Sequence, residues 1–211
     1  MTVATRRRRG RPRVAGLTAR RRGEILAAAT RSFARRGFSA TDLQVVADEL
    51  GMGKGTIYRY FATKQALFLA AVDQAMRRIG DELHGIAQAP SDPLNLIVDA
   101  VRAYLRFFDR NPDVIELLIQ ERAEFKDRKK PTYFQHQEAN LGPWQALLRG
   151  LIAAGRVRRI PVARIVDVLS DLLYGTIFTN YFAGRRKSFE AQTRDILDIA
   201  FHGILTAGGG R

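Results

Sequence analysis

Cysteine is absent from the 211 residues, and most features that would point to catalysis are absent or scarce as well. Without a thiol, the chain has no disulfide scaffold, no thiolate metal site and no cysteine nucleophile. The three histidines, His84, His136 and His202, are scattered and do not have the spacing of metal ligands. No nucleophile motif accompanies them. We therefore expect no metal, no cofactor and no enzymatic activity.

Long hydrophobic runs are also missing. The longest purely apolar segment is Ala66 to Val72, far shorter than the about 20 residues that a helix needs to cross a bilayer. The arginine-rich N-terminus has no apolar region of the kind found in signal peptides. We expect a cytoplasmic protein without a membrane partner.

Acidic residues are too few to balance the basic ones, which leaves a net charge of +14. Residues 1–89 hold 17 Lys and Arg against 7 Asp and Glu, whereas residues 90–211 hold 18 against 14. The excess is therefore concentrated in the first part of the chain. An asymmetry of this kind is typical of a protein that binds a polyanion such as DNA.

The chain has no segment in which β-branched residues alternate at period two, and apolar residues recur instead at helical spacing. The sequence therefore predicts an all-α protein of about nine helices. We expect a flexible basic arm over residues 1–17 and a three-helix domain over 18–65. A larger helical body covers 66–211, and its helix 66–88 forms the connection.

The most informative segment covers residues 43–64 and reads LQVVADELGMGKGTIYRYFATK. Its first helix has one apolar face, formed by Leu43, Val46, Ala47 and Leu50. Gly51 and Gly53 end that helix, and a second short helix follows with Ile57 and Phe61 on its inner side. Two short helices joined by a tight glycine turn are typical of a helix-turn-helix.

Residues 23–69 resemble the N-terminal domain of the TetR (tetracycline-repressor-like) regulators. The matching pieces are Ile25-Leu26, Ala28-Ala29, Phe33, Gly37-Phe38, Thr41, Val46-Ala47, Gly51, the run Gly55 to Phe61, Lys64 and Leu67. The resemblance implies a homodimer that binds a palindromic operator in double-stranded DNA. It also implies a helical body that binds a small-molecule effector.

The resemblance implies a set of DNA-contacting residues in and around the second short helix. They are Thr41, Gln44, Lys54, Gly55, Thr56, Tyr58, Arg59, Tyr60 and Lys64. Gln44 has a second interpretation, because Thr41 to Gln44 reads as a capping box, and Tyr58 has one as a packing residue between helices. Arg59 suits either a guanine or the DNA backbone. Many relatives have Ser where this chain has Gly53, so one phosphate-facing hydroxyl is missing.

The basic arm adds a second DNA signal. Arg9-Gly10-Arg11-Pro12 resembles the core of an AT-hook, in which Arg9 and Arg11 would enter a narrow A·T minor groove. The alternative is a nonspecific basic tail that only raises affinity.

Two further sets of residues follow from the resemblance to the family's helical bodies. Aromatic side chains could line the effector pocket, although aromatics at helical spacing also suit an ordinary core: Phe107, Phe108, Tyr133, Phe134, Trp144, Tyr174 and Phe178. Apolar faces of the last two helices could form a dimer interface: Leu169, Leu172, Leu173, Thr176, Ile177, Ile196, Ile199 and Ile204.

The resemblance thus implies a ligand-responsive regulator, a repressor that its effector releases from the operator. The alternative is an architectural DNA-binding protein in which the arm supplies most of the affinity.

Overall fold

The computed structural model of the chain describes residues 12–184 and 187–203. These residues form nine α-helices and no strand, which confirms the predicted all-α class. In chain order the helices are α1 Pro12–Arg36, α2 Leu43–Glu49, α3 Lys54–Tyr60, α4 Lys64–Ala87, α5 Pro93–Arg110, α6 Pro112–Glu124, α7 Thr132–Ala153, α8 Val162–Ala183 and α9 Phe189–His202. Within these ranges no helix is long and apolar enough to cross a membrane.

Helix α1 begins at Pro12, six residues before the start that the apolar pattern predicts. Proline suits the first turn of a helix because its missing N–H has no partner there. Residues 16–21 are exposed, so no buried apolar face marks this part of the helix. Glu24 accepts hydrogen bonds from Arg20 at 3.1 Å and from Arg21 at 2.9 Å. The predicted arm therefore overlaps a helix, and the part of it before Pro12, with Arg9 and Arg11, lies outside the described residues.

The chain divides into two compact units, with the boundary inside α4 between Ala71 and Val72. The core of the first unit is built on the face of α1 that the sequence predicts, where Ile25, Leu26 and Phe33 are fully buried. Phe33, Phe38 and Phe68 form an aromatic cluster with ring centroids 5.1 to 5.9 Å apart. This cluster joins α1, the following loop and α4 within the unit.

The start of α2 differs from the predicted capping box. Asp42 is the N-cap, and its carboxylate accepts the backbone N–H of Gln44 at 2.9 Å. The Thr41 side chain is buried, and its hydroxyl lies 2.7 Å from the carbonyl of Gly37, to which it donates. Asp and Thr both cap helices well, so the sequence pattern alone did not identify which of the two adjacent residues occupies the position.

Helix α5 is the centre of the second unit. It packs against α6, α8 and α9, and its buried residues are Leu96, Ile97, Val101, Ala103, Tyr104, Leu105, Phe107 and Phe108. The Tyr104 hydroxyl lies 2.7 Å from that of Tyr133 on α7. Burial raises the pKa of Tyr104 and raises the pKa of Tyr133 to about 12. Both phenols therefore stay neutral near neutral pH.

A buried carboxylate on α6 fixes the start of α7. Glu121 is 1% exposed, and its Oε1 accepts the backbone N–H of Thr132 at 2.9 Å and the Thr132 hydroxyl at 2.8 Å. Arg128 Nε lies 3.3 Å from the same oxygen. An acid at a helix N-terminus interacts favourably with the helix dipole, so Glu121 holds α6, the following loop and α7 together.

We predict that Glu121→Ala lowers the free energy of unfolding by about 1–3 kcal/mol, because it leaves the buried N–H and hydroxyl of Thr132 without their acceptor. Urea denaturation monitored by circular dichroism measures this. Glu138→Ala is the matched control, since Glu138 also pairs with a basic residue, Lys130, but is mostly exposed. The control should lose less than about 1 kcal/mol. Equal losses in the two variants would contradict the role given to Glu121.

Candidate nucleic-acid interface and ligand cavity

The helix-turn-helix lies where the sequence predicts it. Helix α2 ends at Glu49, the turn contains Gly51 with a φ of +60°, and α3 follows Gly53. Gly51 adopts a conformation that residues with a Cβ rarely take, so the sharp turn depends on this glycine. Gly53 is the N-cap of α3 and, as the sequence indicates, supplies no side-chain hydrogen bond.

Two apolar residues hold α3 against the rest of the first unit. Ile57 is fully buried, and Phe61, the C-cap, is 4% exposed. The guanidinium of Arg22 lies 4.8 Å from the centroid of the Phe61 ring, within the range of a cation–π contact. The inner side of α3 is thus fixed, and its orientation relative to α1 is set by these contacts.

The predicted DNA residues of α3 lie on its accessible side. Gly55, Tyr58 and Arg59 are exposed, and Lys54, Thr56 and Tyr60 are half-buried. Together they offer two cations, three hydroxyls and an accessible stretch of backbone. Tyr58, with 43% of its surface exposed, extends into solvent, which argues against the alternative interpretation as a packing residue between helices.

An ion pair connects α3 to the start of α2. Lys54 Nζ donates to Asp42 Oδ1 at 2.6 Å, on the same carboxylate that caps α2. The backbone N–H of Gln44 and, after it, the ammonium of Lys54 hold the pKa of Asp42 below its usual value, and Asp42 raises the pKa of Lys54. One exposed carboxylate therefore serves both helices of the motif.

The remaining predicted DNA residues of the first unit differ in accessibility. Gln44 is exposed, and its amide donates to Asp48 Oδ1 at 2.7 Å rather than completing a capping box. Lys64 donates to the carbonyl of Ser39 at 2.9 Å and lies 4.9 Å from the Phe38 ring centroid, so part of its role is structural. Thr41 is buried with its hydroxyl used internally, and we leave it out of the proposed interface.

The second unit contains an apolar cavity of about 180 Å³ between α4, α5, α7 and α8. Aliphatic residues dominate its lining: Met76, Ile79, Leu83, Ile97, Val101, Leu141, Leu148, Val166, Leu169 and Leu173. Its polar groups are few and include the Tyr104–Tyr133 pair and His136. His136 Nε2 lies 2.8 Å from Asp73 Oδ1 on α4. The cavity suits an apolar small molecule.

The seven aromatic residues predicted to line a pocket divide among several places. Tyr133 and Trp144 line the apolar cavity. Phe134 and Tyr174 line a separate crevice at the start of α7, together with Tyr133. Phe107 and Phe108 belong to the core around α5, and Phe178 packs on Tyr174 with ring centroids 4.7 Å apart. The aliphatic lining was not predicted, because such residues cannot be told from ordinary core by their spacing.

The residues predicted for a dimer interface do not share one surface: some are buried or line the cavity, and others are exposed. Ile177 is buried in its own unit, Leu169 and Leu173 line the cavity, and Thr176 donates its hydroxyl to the carbonyl of Leu172 at 2.7 Å. Ile196 is half-buried, and Ile204 lies outside the described residues. Leu172 and Ile199 are exposed, 41% and 51% respectively.

An exposed stripe on α8 contains residues that the sequence did not identify. It runs through Val168, Leu172, Gly175, Thr179 and Phe182, which are all exposed. Their spacing of four, three, four and three residues is that of a helix-packing seam. The heptad spacing is visible in the sequence. It did not identify the stripe, because apolar residues that line the cavity lie on the same helix.

Comparison with known proteins assigns the helix-turn-helix unit. The family model described as bacterial regulatory proteins of the tetR family matches residues 25–71. The transcriptional activator FasR of Mycolicibacterium smegmatis is 30% identical over 127 residues, which are 55% of this chain and 57% of that protein. The transcriptional repressor KstR2 of Mycobacterium tuberculosis is 37% identical over 86 residues, 39% of this chain and 41% of the relative. The chain thus spans less than two thirds of these relatives' length.

The fold is that of solved TetR-type regulators over most of the chain. A structure of FadR from Bacillus subtilis in complex with stearoyl-CoA has a TM-score of 0.71 at 14% identity, and covers 87% of this chain and 99% of its own. At this identity the likeness concerns the fold alone. The chain is thus similar to the TetR family of bacterial regulatory proteins in the sequence of its helix-turn-helix unit, residues 25–71, and in its fold.

Proposed function

We propose that this protein is a transcriptional regulator that binds a palindromic operator as a homodimer and is released from it by a small molecule. The observation that carries the proposal is the exposed side of α3, where Tyr58 and Arg59 lie accessible while Ile57 anchors the helix. A short helix fixed on one side and rich in donors on the other suits insertion into the major groove.

The side-chain chemistry divides the proposed DNA contacts into those to bases and those to phosphates. Arg59 is the candidate for direct base readout, because a guanidinium can bond a guanine edge at two points. Exposed Gln44 is the candidate for adenine. Lys54, Tyr58 and Lys64 suit phosphate oxygens, since a point charge or a hydroxyl carries little sequence information. On DNA, a phosphate would compete with Asp42 for the ammonium of Lys54.

The proposed release by a ligand rests on the apolar cavity. Helix α4 supplies Met76, Ile79 and Leu83 to its lining and contributes its first residues to the helix-turn-helix unit. A ligand that fills the cavity would favour a different position of α4, so ligand and operator binding would oppose each other through one coupling free energy. One relative is named as an activator and another as a repressor, so relatives of both kinds exist. For this protein we propose repression.

A homodimer would cover the exposed stripe of α8 with the same stripe of a second copy. Val168 and Phe182 are 60% and 69% exposed, large values for apolar side chains in a single chain. Gly175, between them, has open space around it and allows two helices to approach closely. Two half-sites read by one dimer require such an interface. A cytoplasmic, nucleoid-associated location remains a prediction.

The test of the proposed function is selection of bound duplexes from a random DNA pool. The expected product is a palindrome that binds at least about 1,000-fold more tightly than a scrambled duplex of equal length at the same salt concentration. Titration of both duplexes at two salt concentrations measures this. Equal affinities, both lost at high salt, would contradict sequence reading and favour the alternative of a weakly specific, charge-driven DNA binder.

We predict that Arg59→Ala weakens binding to the selected duplex by about tenfold or more, because it removes a contact to a base or to the backbone. Fluorescence anisotropy on labelled duplex measures the change. Arg110→Ala is the control, because Arg110 carries the same charge on an exposed position of α5, outside the helix-turn-helix unit. Equal effects of the two substitutions would exclude a direct contact by Arg59.

We predict that Leu172→Asp shifts the protein from dimer to monomer, because it places a charge in the centre of the α8 stripe. Sedimentation velocity over a range of protein concentrations reports the change. Leu17→Asp is the control, since Leu17 is 68% exposed on α1, outside the stripe. A monomeric wild type, or a Leu172→Asp variant that remains dimeric, would remove the interface from the proposal.

A further inference from the structure

A second opening lies beside the apolar cavity and has a different chemical character. It is a crevice of about 580 Å³ at the end of α6 and the start of α7. Four cationic residues and one carboxylate contribute to its lining: Arg122, Lys126, Arg128, Lys129 and Asp127. The rest is apolar or aromatic, with Leu118, Pro131, Tyr133, Phe134 and Tyr174. Within one small volume the crevice therefore combines an excess of positive charge with aromatic rings.

The cationic side chains of the crevice differ in whether they already have an ion-pair or hydrogen-bond partner. Arg128 is held by the buried carboxylate of Glu121, and Arg122 donates to the backbone carbonyl of Lys126 at 3.3 Å. Lys126 and Lys129 are exposed and form no ion pair within residues 12–184 and 187–203. Because Glu121 already neutralises Arg128, the positive charge that remains in the crevice comes from Arg122, Lys126 and Lys129, and Asp127 offsets part of it. Lys126 and Lys129 are the two of these cations that we consider for binding an anion, since Arg122 already donates to a carbonyl.

Tyr133 lines both the crevice and the apolar cavity, so the two openings adjoin at this side chain. Its hydroxyl lies 2.7 Å from that of Tyr104, which lines only the cavity. Its ring packs against Phe134 and Tyr174, which line only the crevice, with centroids 5.1 and 4.8 Å away. A molecule bound on both sides of Tyr133 would therefore have its apolar part and its polar part in adjoining spaces.

The cavity lining contains no Asp, Glu, Lys or Arg, so a charged group buried there would meet no oppositely charged side chain of these four types, at a large cost in free energy. A ligand that carries charge must place it elsewhere. We propose that the effector is an amphipathic anion whose apolar body fills the cavity and whose carboxylate, sulfate or phosphate group binds Lys126 and Lys129 in the crevice. This inference rests on the proposed ligand-binding role of the cavity and adds the charge of the ligand and its position.

The experiment compares two fluorescent probes that share one ring system. The first is 1-anilinonaphthalene-8-sulfonate, an amphipathic anion, and the second is N-phenyl-1-naphthylamine, which lacks the sulfonate. Trp144 is the single tryptophan of the chain and lines the cavity, so energy transfer from Trp144 reports a probe bound nearby. Ala100→Phe, with Ser170→Leu as a second variant, fills the cavity and should abolish the transfer for both probes.

The variant that tests the anion subsite is the double substitution Lys126→Gln with Lys129→Gln. We expect it to weaken binding of the sulfonate probe by at least about fivefold at low ionic strength, because two nearby charges are lost. Binding of the neutral probe should change by less than twofold. The control is Arg149→Gln with Arg164→Gln, which removes the same charge from two exposed positions that line neither opening. Melting temperatures of all variants verify that each is folded.

Three results would overturn the inference. If the control double variant weakens the sulfonate probe as much as the lysine variant does, only overall charge matters and the subsite is absent. If both probes bind the lysine variant as well as the wild type, the lysines do not hold the anion. If neither probe shows transfer that the filling variants abolish, the cavity is not a ligand site, and the ligand-binding role fails as well. In the first two cases that role stands.

Discussion

The docking of Ile57 and Phe61 is the interaction on which the proposed DNA-binding surface depends. Helix α3 has only seven residues, and an isolated helix of that length is not stable in water. Its order therefore comes from burial of one side, with Ile57 fully enclosed and Phe61 beneath the guanidinium of Arg22. Because these contacts fix the inner side, the exposed residues of α3 keep a defined direction, and their chemistry can be used for recognition.

In the second unit, too, contacts between buried side chains position a helix, here α7. Glu121 holds the start of α7, and the Tyr104–Tyr133 contact joins α7 to α5. Tyr133 lines both the apolar cavity and the cationic crevice, and Arg128, the ion-pair partner of Glu121, lines the crevice. A packed interior would have filled the cavity with side chains, whereas here rigid helices keep it open between them. The same residues that stabilise the unit thus define what a ligand can touch.

Several local errors of the sequence interpretation share a physical cause. Thr41 and Asp42 are both good N-caps. Asp42 caps α2 because the Thr41 hydroxyl is directed to carbonyls of α1 and of the loop after it. Leu169 and Leu173 have the same helical spacing as the exposed stripe of α8, but they turn toward the cavity. The first turns of α1 lack an apolar face, so periodicity could not reveal them. In each case the position of a side chain depended on contacts, or on a lack of contacts, that the local sequence pattern does not contain.

The sequence by itself determined the all-α class of the protein and the helix-turn-helix with its exposed donors. These features depend on contacts between residues close in the chain, on proline and glycine breaks and on helical periodicity. Tertiary structure alone decided which apolar residues face the cavity, which face solvent on α8, and that Tyr133 of α7 lies against Tyr104 of α5 and Tyr174 of α8. Those assignments depend on packing between helices far apart in the sequence, which no local pattern contains.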